Sequence, residues 1–476
     1  MLLEPFLHHC RQQPEALALV ESDRYLSYGD LLARAQSVAA GLQTLGVQPG
    51  QPVAVHLDRG IDAVIAVFGV LLAGACYVPL DLKNPKPRLA FIVADAKVHA
   101  VLGLGDAPAW LDASLWLDID ACSEESPKQV ETSADSLAAI LYTSGSTGQP
   151  RGVVLSHGAV ASFALWAADL VALQDKDRIA SSTPFFFDLS TFDLYAVLGR
   201  GASLYFVPSA LTLSPSRLSA WLGEQAISGW YTVPSLLAFL AYKGNLSETP
   251  LPCLRFLIFA GEVFPTPALI DLAAKLPRTE LYNFFGPTET NVCCYWPVER
   301  ERLLADENIP IGLPAVDCEL HLHAETGELW VRGDSIASGY WNQGRLQPFL
   351  NGEGWYPTGD RVSLVDGEYR FHGRLGRMLK CSGYRVEPAE IEAAVNAMAG
   401  VRDCAVVGID DPAAGQRPAL ALVLESVTLA EIRTALIRLV PSYMQPSRCI
   451  VVEELPRLPN GKLDYNQVRT LLEAQQ

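Results

Sequence analysis

No two cysteines in this sequence form a CxxC pair, and no His/Cys cluster has the spacing of a zinc site. The ten cysteines are scattered along 476 residues. Reduced thiols in a cytoplasmic protein are therefore expected, not a disulfide framework. The N-terminus lacks a basic stretch followed by an apolar core, which argues against a secretory signal. Repeats and low-complexity tracts are missing as well. Charged residues are sparse, 19% against 50% hydrophobic. That balance buries large cores and excludes a disordered chain. Positive charge is in deficit, and the formal net charge is −17. An acidic surface repels phosphodiester backbones, so nucleic acid is not an expected partner. It does not exclude a nucleotide, because a local cradle of N–H groups and a magnesium ion outweigh a global field.

A chain of this length needs two or three domains. Apolar runs at 53–57, 101–103, 139–142, 203–207 and 256–259 read as buried strands. Helical patterns at 28–45 and 216–225 lie between them, which indicates α/β architecture with largely parallel sheets. Residues 63–80 carry no charge and approach the length of a membrane span. Gly69, Gly74 and Pro79 interrupt the run, so a buried helix followed by a strand at 76–80 is the favoured reading. No membrane association is expected. Residues 106–136 are polar and acidic and read as a surface connection. Beyond Gly312, short strands near 328–331, 362–365 and 369–371 suggest a small β-rich subdomain. From about Gly376 the pattern runs helix (389–398), strand (404–408), strand (419–424), helix (429–439), an α/β domain of independent size.

The sharpest local feature is Thr143-Ser-Gly-Ser-Thr-Gly-Gln-Pro-Arg-Gly-Val153. Four hydroxyl side chains and three glycines between Thr143 and Gly152 follow a buried strand. Glycine lets a backbone approach a ligand closely, and successive N–H groups with one cation make an anion cradle. The G-x-x-x-x-G-K-[ST] spacing of a P-loop is not there. Read alone, the loop is as easily a flexible surface turn.

Other motifs decide between those readings. The loop resembles the phosphate loop of the adenylate-forming superfamily, whose members make acyl- and aminoacyl-adenylates. Asn283-Phe-Phe-Gly-Pro-Thr-Glu-Thr290 resembles its adenine and magnesium motif. Residues 72–81, 327–333, 356–360, 373–387 and 459–464 match further motifs in order. The resemblance covers nearly the whole chain, and its nearest branch is the stand-alone adenylation domains of nonribosomal peptide synthesis. It implies a large N-terminal domain at 1–375, with two α/β layered subdomains and a small β-barrel-like one. A small mobile α+β domain follows at 376–476.

The resemblance also implies roles. Thr143, Ser144, Gly145, Ser146, Thr147, Gly148 and Arg151 hold the outgoing phosphates of ATP. Thr288 meets the α-phosphate, and Glu289 binds Mg2+. Phe285 stacks on adenine with Asn283 on its polar edge, beside Gly261 and Gly286. Asp360 takes the ribose hydroxyls, with Arg374 close by. Lys462 bridges the substrate carboxylate and the α-phosphate, and Gly383 lines a thiol channel. Without the matched context, Asp360 reads as a turn cap and Arg374 and Lys462 as solvated charges. Three positions depart from the family pattern. Arg151 stands where the loop usually has Lys, which keeps the charge but changes the geometry. Pro357 replaces a frequent Arg, and Gly376 replaces a hinge Asp.

Asp188 follows three phenylalanines in Pro184-Phe-Phe-Phe-Asp-Leu-Ser190. In the branch that the chain resembles, this position holds a substrate's α-ammonium; a helix N-cap is the plainer alternative. The other pocket positions carried over by motif are Leu189, Phe192, Thr232, Ile258, Ala260, Phe284, Val292 and Cys293. None is charged, so a neutral, small to medium amino acid is expected. The set resembles in part that of prolyl-carrier-protein ligases, with departures at Thr232 and Phe284. The sequence holds no carrier segment with an attachment serine, so a separate carrier protein with a phosphopantetheine arm is the expected acceptor. A CoA ligase and a non-catalytic ATP-binding sensor are the rival readings.

Overall fold

The five apolar runs become inner, buried strands of two sheets: Pro52–Val55, Ala100–Gly103, Leu137–Thr143, Ser203–Phe206 and Phe256–Phe259. A computed structural model describes residues 2–123, 126–145, 148–349, 353–411, 415–457 and 463–474. The chain divides into two compact units. The first comprises Met1–Asp81, Val93–Leu141 and Gly152–Gly373; the second comprises Leu82–Ile92, Tyr142–Arg151 and Arg374–Gln476.

In the first unit, a nine-stranded sheet runs Leu313–Pro314, Cys294–Pro297, Glu280–Phe285, Phe256–Phe259, Gly229–Thr232, Arg178–Ser181, Ser203–Phe206, Leu17–Glu21, Arg24–Ser27. Its interior pairs are parallel and its two edges antiparallel. The interior strands are buried, as a sheet with both faces covered demands. An eight-stranded sheet contains Pro52–Val55 between Cys76–Pro79 and Ala100–Gly103, all parallel. The helix Tyr28–Thr44 begins where the Ser27 side chain accepts from Asp30 N. The uncharged run at 63–80 splits into the buried helix Ile61–Leu72 and the strand Cys76–Pro79. Among the described residues no helix is long and apolar enough to cross a membrane. Residues 106–136 are not purely a connection. Trp116–Asp118 adds a parallel strand beside Ala100–Gly103, and three residues are too few to show a period in sequence. The β-rich segment forms a four-stranded sheet with the long strand Tyr356–Val365 inside it.

In the second unit, the hairpin Val401–Asp411/Gly415–Leu424 carries a five-stranded sheet. The helices Pro388–Asn396 and Leu429–Leu439 cover it, the latter opened by a capping box of Thr428 and Glu431. A strand Arg448–Val451 and a helix Tyr465–Ala474 complete it. The same unit holds a buried ion pair of Arg88 with Glu390.

Candidate active site

The first unit carries the candidate amino-acid and adenine positions. Asp188 sits, buried, in the turn after strand Arg178–Ser181. Its backbone carbonyl accepts from Thr191 N at 2.9 Å and from Thr191 Oγ1 at 2.6 Å. Asn291 Nδ2 donates to the same Thr191 Oγ1 at 3.1 Å. The Asp188 turn and the loop after Phe285 are thereby tied together. Phe192 opens a π-helical stretch, Phe192–Val197, a rare widened geometry that is frequent at functional sites. Leu189 is half-buried and packs against the same core, which also holds Phe192, Ile258, Ala260, Phe284 and Val292.

The register sorts the remaining pocket positions. Tyr231, Ile258 and Tyr282 are cross-strand partners, so their side chains share one face of the sheet, and Phe284, two residues on, shares it too. Thr232 pairs with Phe259 and faces the other way. Its hydroxyl lies 3.0 Å from Ser182 Oγ, which also accepts from Trp230 Nε1 at 3.0 Å. Cys293 is fully buried, its thiol 3.5 Å from the Phe285 carbonyl.

Asp193, five residues beyond Asp188, is a fully buried carboxylate. Neither of its oxygens accepts a hydrogen bond from the described residues. Burial pushes its pKa up to about 7, against the pull of the nearby Ser181 hydroxyl and Arg59 guanidinium. Arg59 donates to the Val207 carbonyl at 2.7 Å and to the Ser181 carbonyl. Tyr231 is fully buried as well, and burial, then the charges of Asp188 and Asp193, raise its pKa.

Glu289 is fully buried. Its Oε1 accepts from Tyr340 Oη at 2.9 Å, and its backbone carbonyl accepts from Ala337 N at 2.8 Å. Thr288 is half-buried in the same loop. Among the described residues no group of three His, Cys, Asp or Glu side chains is placed to hold a metal ion. Asn283 spends its side-chain amide on the Pro310 carbonyl at 2.8 Å. Phe285 is buried and tilted 49° against Phe371 at 5.5 Å. A Cβ on Gly286 would lie 2.0 Å from the Asn291 carbonyl oxygen, so only glycine closes this turn. Gly261 holds a φ of +92°, with open space where a Cβ would stand. Asp360 is buried mid-strand, its N–H donated to Thr358 Oγ1 at 3.0 Å.

The second unit carries the phosphate-loop positions. Thr143 ends its strand, with Oγ1 3.5 Å from the Arg151 carbonyl. Ser144 Oγ donates to the Arg385 carbonyl at 2.7 Å. A Cβ on Gly145 would stand 2.0 Å from the Gln149 carbonyl oxygen, so this close turn too requires glycine. Gly148 takes a positive φ and packs against Ala393 of the helix Pro388–Asn396. Arg151 opens the strand Arg151–Ser156, and Arg374 ends the strand Glu368–Arg374. Gly383 sits with Ser382 at the two positive-φ corners between strands Leu379–Cys381 and Tyr384–Val386, the tight hairpin geometry of a primed turn. Ser146, Thr147 and Lys462 lie outside the described residues.

Residues 6–341 match the AMP-binding enzyme family, and residues 390–462 match the AMP-binding enzyme C-terminal domain. An L-proline--[L-prolyl-carrier protein] ligase from Streptomyces coelicolor is 38% identical over 95% of this chain and 93% of its own length. A protein of the same name from Pseudomonas fluorescens is 34% identical over 98% of both. The solved structure of an o-succinylbenzoate CoA synthetase from Bacillus subtilis superposes with a TM-score of 0.85 at 23% identity, over 98% of each chain. That likeness shows a shared fold.

Proposed function

The chain belongs to the AMP-binding enzyme family, and from that premise we propose that it activates a neutral amino acid with ATP and loads it onto a carrier protein. It is an ATP-dependent ligase that makes an aminoacyl-AMP and passes the aminoacyl group to the phosphopantetheine thiol of a separate carrier. The two relatives named for the L-proline reaction support this reading over nearly the whole chain, and L-proline is the first substrate to try.

The observation that carries the amino-acid assignment is Asp188. It is a buried carboxylate beside an apolar face built by Phe192, Ile258 and Phe284. A carboxylate in this place can take the α-ammonium of an amino acid in a charge-assisted contact. The uncharged face beyond it takes a small or medium side chain.

The chemistry asks for positioning more than proton transfer. A carboxylate is ionised at neutral pH, so it attacks the α-phosphorus without a general base, and pyrophosphate leaves. The protein's part is to align the reactants and neutralise charge. Asp188 anchors the ammonium end. Thr288 and Lys462 meet the α-phosphate, and Asp360 takes the ribose hydroxyls. The loop at 143–151 receives the pyrophosphate. Glu289 fits Mg2+: the ion commonly takes one or two carboxylates and fills its remaining sites with phosphate oxygens and water. When bound, the ion neutralises charge on the triphosphate. Tyr340 holds the Glu289 carboxylate in place for it. We assign residues 1–375 to the adenylation core and 376–476 to a mobile domain that presents Lys462 for adenylation and Gly383 for thiol transfer. The reading places the enzyme in the cytoplasm, where ATP and carrier proteins are available.

Transfer of a labelled amino acid from ATP-activated enzyme to a phosphopantetheinylated carrier, as a thioester cleaved by hydroxylamine, tests the second half of this function. Label that reaches CoA and never a carrier would replace it with a CoA ligase.

A further inference from the structure

An unbroken path of aromatic contacts lies across the candidate pocket. Phe192 and Tyr231 meet edge-on at 5.7 Å, and Tyr231 and Phe284 edge-on at 5.6 Å. Phe284 then meets Trp166 at 5.1 Å, tilted by 41°. Two of these rings, Phe192 and Phe284, belong to the motif-derived pocket; Tyr231 and Trp166 do not. The register explains why Tyr231 belongs with them. Gly229–Thr232 is a parallel strand in which Tyr231, not Thr232, stands level with Ile258 on the shared face. Trp166 arrives from a different element, the helix His157–Leu170, and is half-buried against the same core.

From this packing we infer that Tyr231 forms the floor of the amino-acid pocket and sets the size of the side chain accepted, with Trp166 bracing Phe284 from behind. The inference rests on the amino-acid-activating reading and narrows it. Asp188 fixes one end of the substrate by its ammonium group, so the distance from Asp188 to the floor decides how many carbons fit. An aromatic ring at the floor is a rigid stop: it turns about only two side-chain bonds, and its ring neighbours hold it on both sides. A larger side chain must displace three packed rings, and close-packed interiors yield poorly to added volume. A small or cyclic aliphatic side chain fills the space above the ring without that penalty.

Amino-acid-dependent pyrophosphate exchange with the full chain tests this, using a panel from alanine and proline to leucine and phenylalanine. Tyr231→Leu keeps the floor apolar and shortens it. Its kcat/KM for leucine or phenylalanine, relative to the best small substrate, should rise about tenfold or more, the scale at which a pocket senses one or two methylenes. Tyr231→Phe keeps the ring and should preserve the wild-type ranking. An equal loss on every substrate in Tyr231→Leu, with the ranking unchanged, overturns the inference. If Tyr231→Leu no longer unfolds cooperatively on heating, Trp166→Leu decides. This partly exposed position should shift the ranking in the same direction, and an unchanged ranking there overturns the inference. Exchange in the wild type with no amino acid at all would overturn the functional reading itself, a separable result.

Discussion

Tyr340 donates its hydroxyl to Glu289 Oε1 at 2.9 Å across 51 residues of sequence. A fully buried carboxylate in the turn after Phe285 thereby accepts from a phenol on a strand of the eight-stranded sheet. A carboxylate meant for a metal gains from such an outer partner, because the bond fixes which oxygen is presented. Tyr340→Phe removes this donor, along with a 3.4 Å contact to the Tyr356 hydroxyl, and keeps the ring. The Mg2+ concentration for half-maximal pyrophosphate exchange should then rise by about tenfold, the low end of what outer-sphere partners contribute. An unchanged Mg2+ dependence would detach Glu289 from the metal.

Asp188 makes the second prediction. A charge-assisted contact is worth ~1.5–3 kcal/mol, or ~10- to 150-fold in selectivity. Asp188→Ala should lower kcat/KM for the preferred amino acid by that factor while changing little for the analogue that lacks the amino group. Equal losses for both compounds would mean that Asp188 serves the fold and not the ammonium.

Asp193 gives a pH signature. Its folded-state pKa, pushed up to about 7 by burial, lies above the ordinary carboxylate value near 4. The folded form therefore holds the proton more tightly than the unfolded chain. The cost of a buried charge is absent below about pH 4 and complete above pH 7. Asp193→Asn removes that cost, so its melting temperature relative to wild type should rise between pH 5 and pH 8. A difference that stays constant over this range would show that Asp193 remains ionised throughout, held by Arg59.

Lys462 separates the two half-reactions. Lys462→Ala should nearly abolish adenylate formation and spare thioester formation from supplied adenylate. Equal loss of both would contradict a domain that works in two orientations.

What the sequence made legible and what it hid divide along physical lines. The helix Leu429–Leu439 was readable to the residue, because its apolar spacing is bounded by Thr428 and by Pro441 soon after. The buried parallel strands were readable as unbroken apolar runs. The strand Trp116–Asp118 was not, since three residues carry no period. Motifs marked Glu289, Asp188 and Asp360, whose chemistry travels with their neighbours in the chain. They could not mark Tyr340 or Tyr231. A hydrogen bond across 51 residues leaves no local trace. Likewise, the choice of Tyr231 over Thr232 for the face shared with Ile258 depends on strand register, which only the assembled sheet defines. Asp193 belongs to no motif, and its burial appears only once the helix Phe192–Val197 is folded.

The central claim is that this site activates an amino acid, and ATP–pyrophosphate exchange measured against a panel of amino, aryl and fatty acids tests it most directly. The account predicts exchange that depends on a neutral small or medium amino acid, with L-proline among the substrates, and none with the plain acids. Exchange driven by aryl or fatty acids, with every amino acid silent, would contradict it.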